Sequence, residues 1–193
     1  MKIRDIVELA AVLLQNNDLI NTNIFWNREN NEYVQKLVRE RQDLRQLIRC
    51  ANLVLKEVAC EFIPLTFRQI IKSEGGTIPY TKFEKPLLSI KSIKDLNGEA
   101  VTAYTMPTYL AIEEGTFAVT YNYIPSDKEF FEDIDFKGDK ASDRIFAYGT
   151  ASEYCLINGD YDNALYWERR YKDALYVHIG KDTKVIMPKR RWI

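Results

Sequence analysis

The sequence is short of most residues that bind metals or carry out acid–base chemistry. Its 193 residues include a single histidine, His178, so no two imidazoles can share a metal ion, and no cysteine or carboxylate cluster has zinc-ligand spacing. The three cysteines, Cys50, Cys60 and Cys155, form an odd set without CxxC spacing. That set argues against a disulfide framework and for buried thiols in a reducing compartment. Glycine is scarce, and Gly75-Gly76 lacks the Lys-Ser/Thr that would complete a phosphate loop; GxGxxG and GxSxG are missing as well. No apolar run is long enough to span a bilayer. The N-terminal apolar stretch is interrupted by Asp5 and Glu8 and is followed by no small-residue cleavage site, which reads as a helix and not as a signal peptide. Neither sign of charge dominates: 27 Lys and Arg face 28 Asp and Glu, a formal net charge of −1. No global field draws the chain to DNA or an anionic membrane, so any nucleic-acid contact must be local.

The remaining polar residues point to no reaction centre. The paired carboxylates Glu113–Glu114, Glu132–Asp133 and Asp160–Asp162 fall in loops or at a helix cap, where solvation and turn chemistry account for them. His178 as a general base would need a nucleophile that the sequence does not indicate, and a place near a helix end explains it. The expectation is therefore no catalytic residue, no metal and no cofactor. A hydrolase built on two carboxylates distant in sequence is the enzymatic alternative.

What is present is periodicity. Ile3, Ile6, Val7, Ala10, Leu13 and Leu14 mark a first amphipathic helix over residues 2–15. Seven of the next sixteen residues, 16–31, are Asn, which predicts a loop; the apolar "NIFW" within it, Asn23 to Trp26, predicts that the loop is pinned to the core or to a neighbouring subunit. From Glu32 to about Glu61 there is neither Gly nor Pro, and Leu37, Leu44, Leu47, Ile48, Ala51, Leu55 and Val58 recur at helical spacing, predicting one long helix of roughly 45 Å. Arg41, Arg45 and Arg49 stand four apart on it. They form either a stripe that faces DNA phosphates or a solvated flank paired with acids of a neighbouring helix.

At Pro64 the period changes toward two. The runs "FIPLTFRQII", "LLSIKSIKDL", "EAVTAYT" and "YLAIEEGTFAVTYNYIP", with turn signals at Gly75-Gly76, Asn97-Gly98 and Glu114-Gly115, predict an antiparallel β subdomain over residues 62–125, inserted in a helical body. After a charged connector from Pro125 to Asp143, with Asp139 or Ser142 as cap, two helices follow in close succession. Ile145, Tyr148, Gly149, Ser152, Cys155 and Leu156 line one face of the first, and Ala164, Trp167, Tyr171, Ala174, Leu175 and His178 share a side of the second. Gly159 and Asp160 supply the turn, and Gly149 and Ser152 allow close approach. The aromatic residues of this αα-hairpin suit a core or a subunit interface. Gly180 and Pro188 suggest that the helix ends near residue 180 and that 181–193 is an extended arm. There Lys189, Arg190, Arg191 and Trp192 join three cations to an aromatic anchor. The same arm has a second reading, a terminal strand folded back through Val185 and Met187. The fold class expected is α+β: one N-terminal helix, one long helix and a C-terminal αα-hairpin as a single 1–193 domain carrying the β insertion and the arm.

Three stretches in order, "IPLTFRQIIKSEGGTIPYTKFEKPLLSIKSIKDLNGEAV" (Ile63 to Val101), "VTYNYIP" (Val119 to Pro125) and "DRIFAYGTASEYCLINGDYDNALYWERRYKDAL" (Asp143 to Leu175), resemble the head-to-tail connector, or adaptor, proteins encoded near portal and capsid genes of tailed bacteriophages and prophages of Gram-positive bacteria. The resemblance covers roughly residues 32–180 and rests on packing patterns. It implies a homo-oligomeric ring of about twelve copies, docked below the portal protein and against a further neck or tail protein. Such a ring would continue the channel for double-stranded DNA, without sequence specificity, without a membrane, and without turnover. It implies assembly in the host cytoplasm and residence in the virion neck. The partner-binding residues would be Lys189, Arg190, Arg191 and Trp192, and the DNA-facing ones Arg41, Arg45 and Arg49. A stopper or tail terminator of the same particle, a carboxylate-dependent cell-wall hydrolase and a DNA-binding module are the competing readings.

Overall fold

The computed structural model describes residues 1–22, 24–25, 32–136 and 141–182. The chain is α+β: among the described residues it has six α-helices and two three-stranded antiparallel sheets. By its internal contacts it divides into two compact units, one of Met1–Val54 with Glu129–Ile193 and one of Leu55–Lys128.

The first unit is helical. Helix α1 (Ile3–Leu13) buries Ile3, Ile6, Val7, Ala10 and Ala11 and packs on α5 (Asp143–Ile157). The Asn-rich segment expected as loop contains a short helix, α2 (Asn17–Ile20), because the Asn16 side chain accepts from the Leu19 N–H and caps it. Ile24 and Phe25 are buried, with the Phe25 ring 6.2 Å from that of Phe130, so this part of the segment is pinned to its own unit; Asn23 and Trp26 lie outside the described residues. The charged connector is anchored likewise. The Ile3 and Arg4 N–H groups donate to the carbonyls of Glu132 and Phe130 (3.2 and 2.9 Å), and Phe130, Ile134 and Phe136 are buried.

The expected long helix is two helices. It is interrupted at Arg41, between α3 (Glu32–Glu40) and α4 (Gln42–Glu57), and continues as a π turn over Val58–Phe62. The cause of the break is polar. The Arg41 guanidinium is held by the Asp43 carboxylate (2.9 Å) and the Asp18 carbonyl (3.3 Å), and Asp43 accepts the Leu44 N–H (2.9 Å), a local bond that starts a new helix. Helix α6 (Tyr161–Asp182) passes through Gly180, which therefore does not end it. A mid-helix glycine weakens a helix by about 1 kcal/mol relative to alanine without breaking it.

The second unit holds the strands β1 (Leu65–Ser73), β2 (Thr77–Pro79), β3 (Leu87–Lys94), β4 (Tyr104–Thr105), β5 (Tyr109–Ala111) and β6 (Gly115–Tyr123). The sheet orders are β1-β6-β3 and β2-β5-β4. The turn signals do not close the simple hairpins that local sequence suggests. At Gly75-Gly76 and at Glu114 the chain leaves one sheet for the other, so β5 and β6 do not pair with each other. Leu65↔Tyr123 through Ser73↔Gly115 and Thr77↔Ala111 keep one offset, making β1–β2 and β5–β6 a single two-stranded ribbon bent in the middle. The bend is tied by the Gly75 N–H to the Glu114 carboxylate (3.0 Å) and the Ile112 N–H to the Gly76 carbonyl (3.0 Å). The Asn97-Gly98 turn does close, with the Asp95 N–H on the Glu99 carbonyl (2.9 Å), but "EAVTAYT" returns along β3 only at the Lys94↔Ala100 bridge. The real partner of β3 is β6, in the middle of its sheet, and β6 buries Phe117, Val119, Tyr121 and Tyr123 on one side.

Candidate functional site

The α5–α6 hairpin is built from close contacts. The Ser142 hydroxyl accepts the Arg144 N–H and caps α5; Asp139, the other cap expected, lies outside the described residues. At Gly149 the helix meets α4 so closely that a Cβ there would stand 2.7 Å from a Val54 methyl and 3.2 Å from the Tyr171 ring. Hydrogen at this position lets α4, α5 and α6 converge. The Ser152 hydroxyl donates across to the Ala164 carbonyl (3.0 Å). The turn is left-handed at Gly159 (φ 77°), and the Asp160 carboxylate accepts the Asn163 N–H to start α6.

The hairpin's aromatic residues divide between inside and outside. Of the five tyrosines between 148 and 175, Tyr171 is buried; Tyr148 and Trp167 are half-buried and stacked at 5.8 Å. Leu156, expected on the packed face, is exposed, and with Ile157, Tyr161 and Leu165 it brackets the turn. These four side chains are 49–65% exposed, and farther along α6 Tyr176 and Val177 are 67% and 63% exposed. Sequence reasoning missed this cluster. Its signal was the position of large apolar residues on both sides of Gly159, where a tight turn leaves side chains at the hairpin end exposed.

The arginine stripe is divided as well. Arg41 is engaged as described, and its pairing with Asp43 raises the guanidinium's pKa further. Arg45 and Arg49 are exposed and form no ion pair with a described residue. Arg45 and Arg49 are the solvated flank expected, whereas Arg41 pairs with Asp43 two residues on and with the Asp18 carbonyl, not with an acid of a neighbouring helix. On α6 the Glu168–Lys172 pair is formed, while Arg170 lies over the Tyr166 ring (5.4 Å). Lys189, Arg190, Arg191 and Trp192, with Val185 and Met187, lie outside the described residues.

The titratable groups that the fold moves are held in structural roles. Burial opposes the Asp5 charge, but the Lys2 N–H and the Arg4 guanidinium outweigh it and lower the carboxyl below its ordinary range. Asp43 is likewise lowered against burial by Arg41 and the Leu44 N–H. Burial, with Glu153 nearby, pushes the Cys50 thiol up to about 12, and burial raises Cys155. Thiols so placed are poor nucleophiles at neutral pH. His178 lines an open groove of about 470 Å³ with Ser142, Tyr148, Arg170 and Asp173. Among the described residues no group of three or more His, Cys, Asp or Glu side chains is placed to hold a metal ion.

Compared with known protein families and with curated proteins, the sequence matches no family model and no curated protein.

Proposed function

We propose that the chain is a structural protein of a tailed-phage neck, a connector that forms a ring below the portal, joins the DNA-filled head to the tail and continues the DNA channel. It acts by assembly, with no chemical step. The observation that carries this reading is the outward side of the hairpin, where Leu156, Ile157, Tyr161, Leu165, Tyr176 and Val177 are exposed to solvent. Leu156, Ile157, Tyr161 and Leu165 stand within ten residues about one turn, and large apolar groups exposed together in this way mark surfaces that become buried on association. A ring gives every copy two neighbours and covers such a surface symmetrically. The resemblance of residues 63–101, 119–125 and 143–175 to connector proteins supplies the particle, and the balanced charge suits a channel through which DNA must slide.

The test is assembly. The chain, produced with portal-bearing, DNA-filled heads of the phage that encodes it, should co-sediment with them and appear as a ring in cryo-electron microscopy of the neck. The variant L156S/I157S/Y161S/L165S should keep native circular dichroism and fail to enter the ring. Removing residues 183–193 should leave the body folded and abolish co-sedimentation, since Lys189, Arg190, Arg191 and Trp192 are then the portal contact. A neck whose density contains no copy of this chain would sink the proposal.

A further inference from the structure

We propose that the open face of the β1–β6–β3 sheet is a sequence-independent docking surface for the sugar–phosphate backbone of double-stranded DNA, with Arg68, Lys72 and Lys94 as its cations. The proposal rests on the channel reading above for its biological setting, but its grounds are in the sheet. The three strands, LTFRQIIKS, LLSIKSIK and GTFAVTYNY, contain four cations and no carboxylate, although acids outnumber bases in the chain as a whole. Strand register sorts these residues by face. Asn122, Thr120, Ala118 and Thr116 of β6 stand opposite Thr66, Arg68, Ile70 and Lys72 of β1, and Ser89, Ser92 and Lys94 of β3 oppose Asn122, Thr120 and Ala118. Hydrogen bonds across the strands confirm the shared side: Thr66 Oγ1 to Asn122 Oδ1 (3.2 Å) and Asn122 Nδ2 to Ser89 Oγ (3.0 Å).

This face is exposed at Thr66, Arg68, Ile70, Lys72, Ser89, Ser92 and Lys94. The three cations form no ion pair with a described residue. The acids nearest in sequence are engaged elsewhere: Glu74 pairs with Lys82, Asp95 accepts from Glu99 and Asn97 within its turn, and Glu114 accepts from Gly75. Strand geometry puts Arg68 and Lys72 about 13 Å apart along β1, and Lys94 about 10 Å across the sheet from that strand. Such spacing suits successive phosphates with hydroxyl and amide donors between them.

The form of nucleic acid follows from what the face omits. Single strands are held by aromatic platforms that stack on bases. The aromatic residues of this sheet, Phe67, Phe117, Tyr121 and Tyr123, alternate onto the other side, where Tyr121 and the half-buried Phe67 ring lie edge to face at 5.9 Å. A face with Thr66, Thr120, Ser89 and Ser92 hydroxyls and spaced cations around Ile70 and Ala118, and with no stacking group, fits a duplex backbone.

The test is binding of the full chain to a labelled mixed-sequence duplex, read by fluorescence anisotropy across a salt series. Three neutralised phosphates give a slope of log K against log salt of about −2.7, or roughly a 40-fold loss of affinity for a fourfold rise in salt. R68Q/K72Q/K94Q should flatten that slope toward zero with circular dichroism unchanged. R45Q/R49Q should leave it as it is, and a single strand of the same sequence should bind more weakly. Should the triple variant misfold, K72Q and K94Q alone should each reduce the slope by about one. A slope retained by these variants, a slope lost in R45Q/R49Q, or no duplex binding at low salt would overturn the assignment. Necks that contain the chain without any duplex binding would defeat this inference and leave the connector reading intact. Duplex binding with the stated slope by a chain missing from virions would do the reverse.

Discussion

The outward side of the α5–α6 hairpin presents Tyr161, Leu165 and Tyr176 to solvent, whereas the open face of the β1–β6–β3 sheet presents Thr66, Arg68 and Lys72. Behind both surfaces the packing is of one kind. Tyr171 and Leu175 close the hairpin on its inner side as Tyr121 and Phe83, edge to face at 4.9 Å, close the sheet on its own. The difference lies in what each outer face needs. Exposed aromatic and aliphatic groups gain by being covered, through about 25 cal/mol per Å² of apolar surface removed from water. Hydroxyls and lysines lose hydration on burial and gain only from a partner that brings charge. The outer side of the hairpin is thus apolar and the open face of the sheet polar and cationic; under the two proposals above, the first would be covered by copies or partners and the second would stay wet against a polyanion.

The largest effect should come from removing an inner anchor. Tyr171→Ala should lower stability by about 3–5 kcal/mol, because a ring 4% exposed is deleted where α4, α5 and α6 converge. Chemical denaturation measures it, and a loss under 1 kcal/mol would show that the hairpin's inner side is not the core assigned to it. Smaller is Gly149→Ala, at about 1–2 kcal/mol. The new methyl meets a Val54 methyl at 2.7 Å, and Val54 is branched and 1% exposed, so overpacking outweighs the gain in helix propensity. A stabilised variant would mean that α4 moves away freely. In the sheet, Tyr121→Phe should cost about 1–2 kcal/mol, since the hydroxyl both donates to Gln69 Oε1 (3.2 Å) and accepts the Lys85 N–H (3.3 Å) in a buried place. Unchanged stability there would locate the strength of the β unit in apolar packing alone.

The pattern of what the sequence discloses follows the range of the forces involved. Helix α1 and the hairpin are legible because their apolar spacing, the Ser142 cap and Gly159 act within a few residues. The bent ribbon is not, since whether a run after Glu114-Gly115 pairs with its neighbour or with β1 is decided by contacts some fifty residues away, as in Phe67↔Tyr121. The break at Arg41 hides because its partner Asp43 is two residues on, outside the three-and-four spacing by which helix pairs are recognised. The cations of the sheet were readable in principle: Arg68, Ile70 and Lys72 alternate with Phe67, Gln69 and Ile71. Only the pairing with β3 adds Lys94 and shows that no acid shares their face. The apolar cluster beside Gly159 needed the opposite knowledge, that its side chains stay exposed among the described residues.

The smallest expected effect concerns the polar contact that divides α3 from α4. Asp43 is 27% exposed and holds Arg41 and the Leu44 N–H, so Asp43→Asn should cost about 0.5–1 kcal/mol near neutral pH. The sign of the pH dependence is set by the direction of its shift. Burial opposes the charge, yet the Arg41 guanidinium and the backbone N–H lower the folded carboxyl below its ordinary value of 3.8. The folded state then binds the proton less well than the unfolded chain, so the contribution is fully present above 3.8 and is lost as pH falls through the lower, folded value. Urea denaturation of the wild type and of Asp43→Asn should therefore show a gap at about pH 6 that narrows only below pH 3.8. A gap that stayed constant down to strongly acid conditions would mean that Asp43 works through its shape and not its charge. The interruption at Arg41 would then have to be assigned to the Arg41 bond to the Asp18 carbonyl.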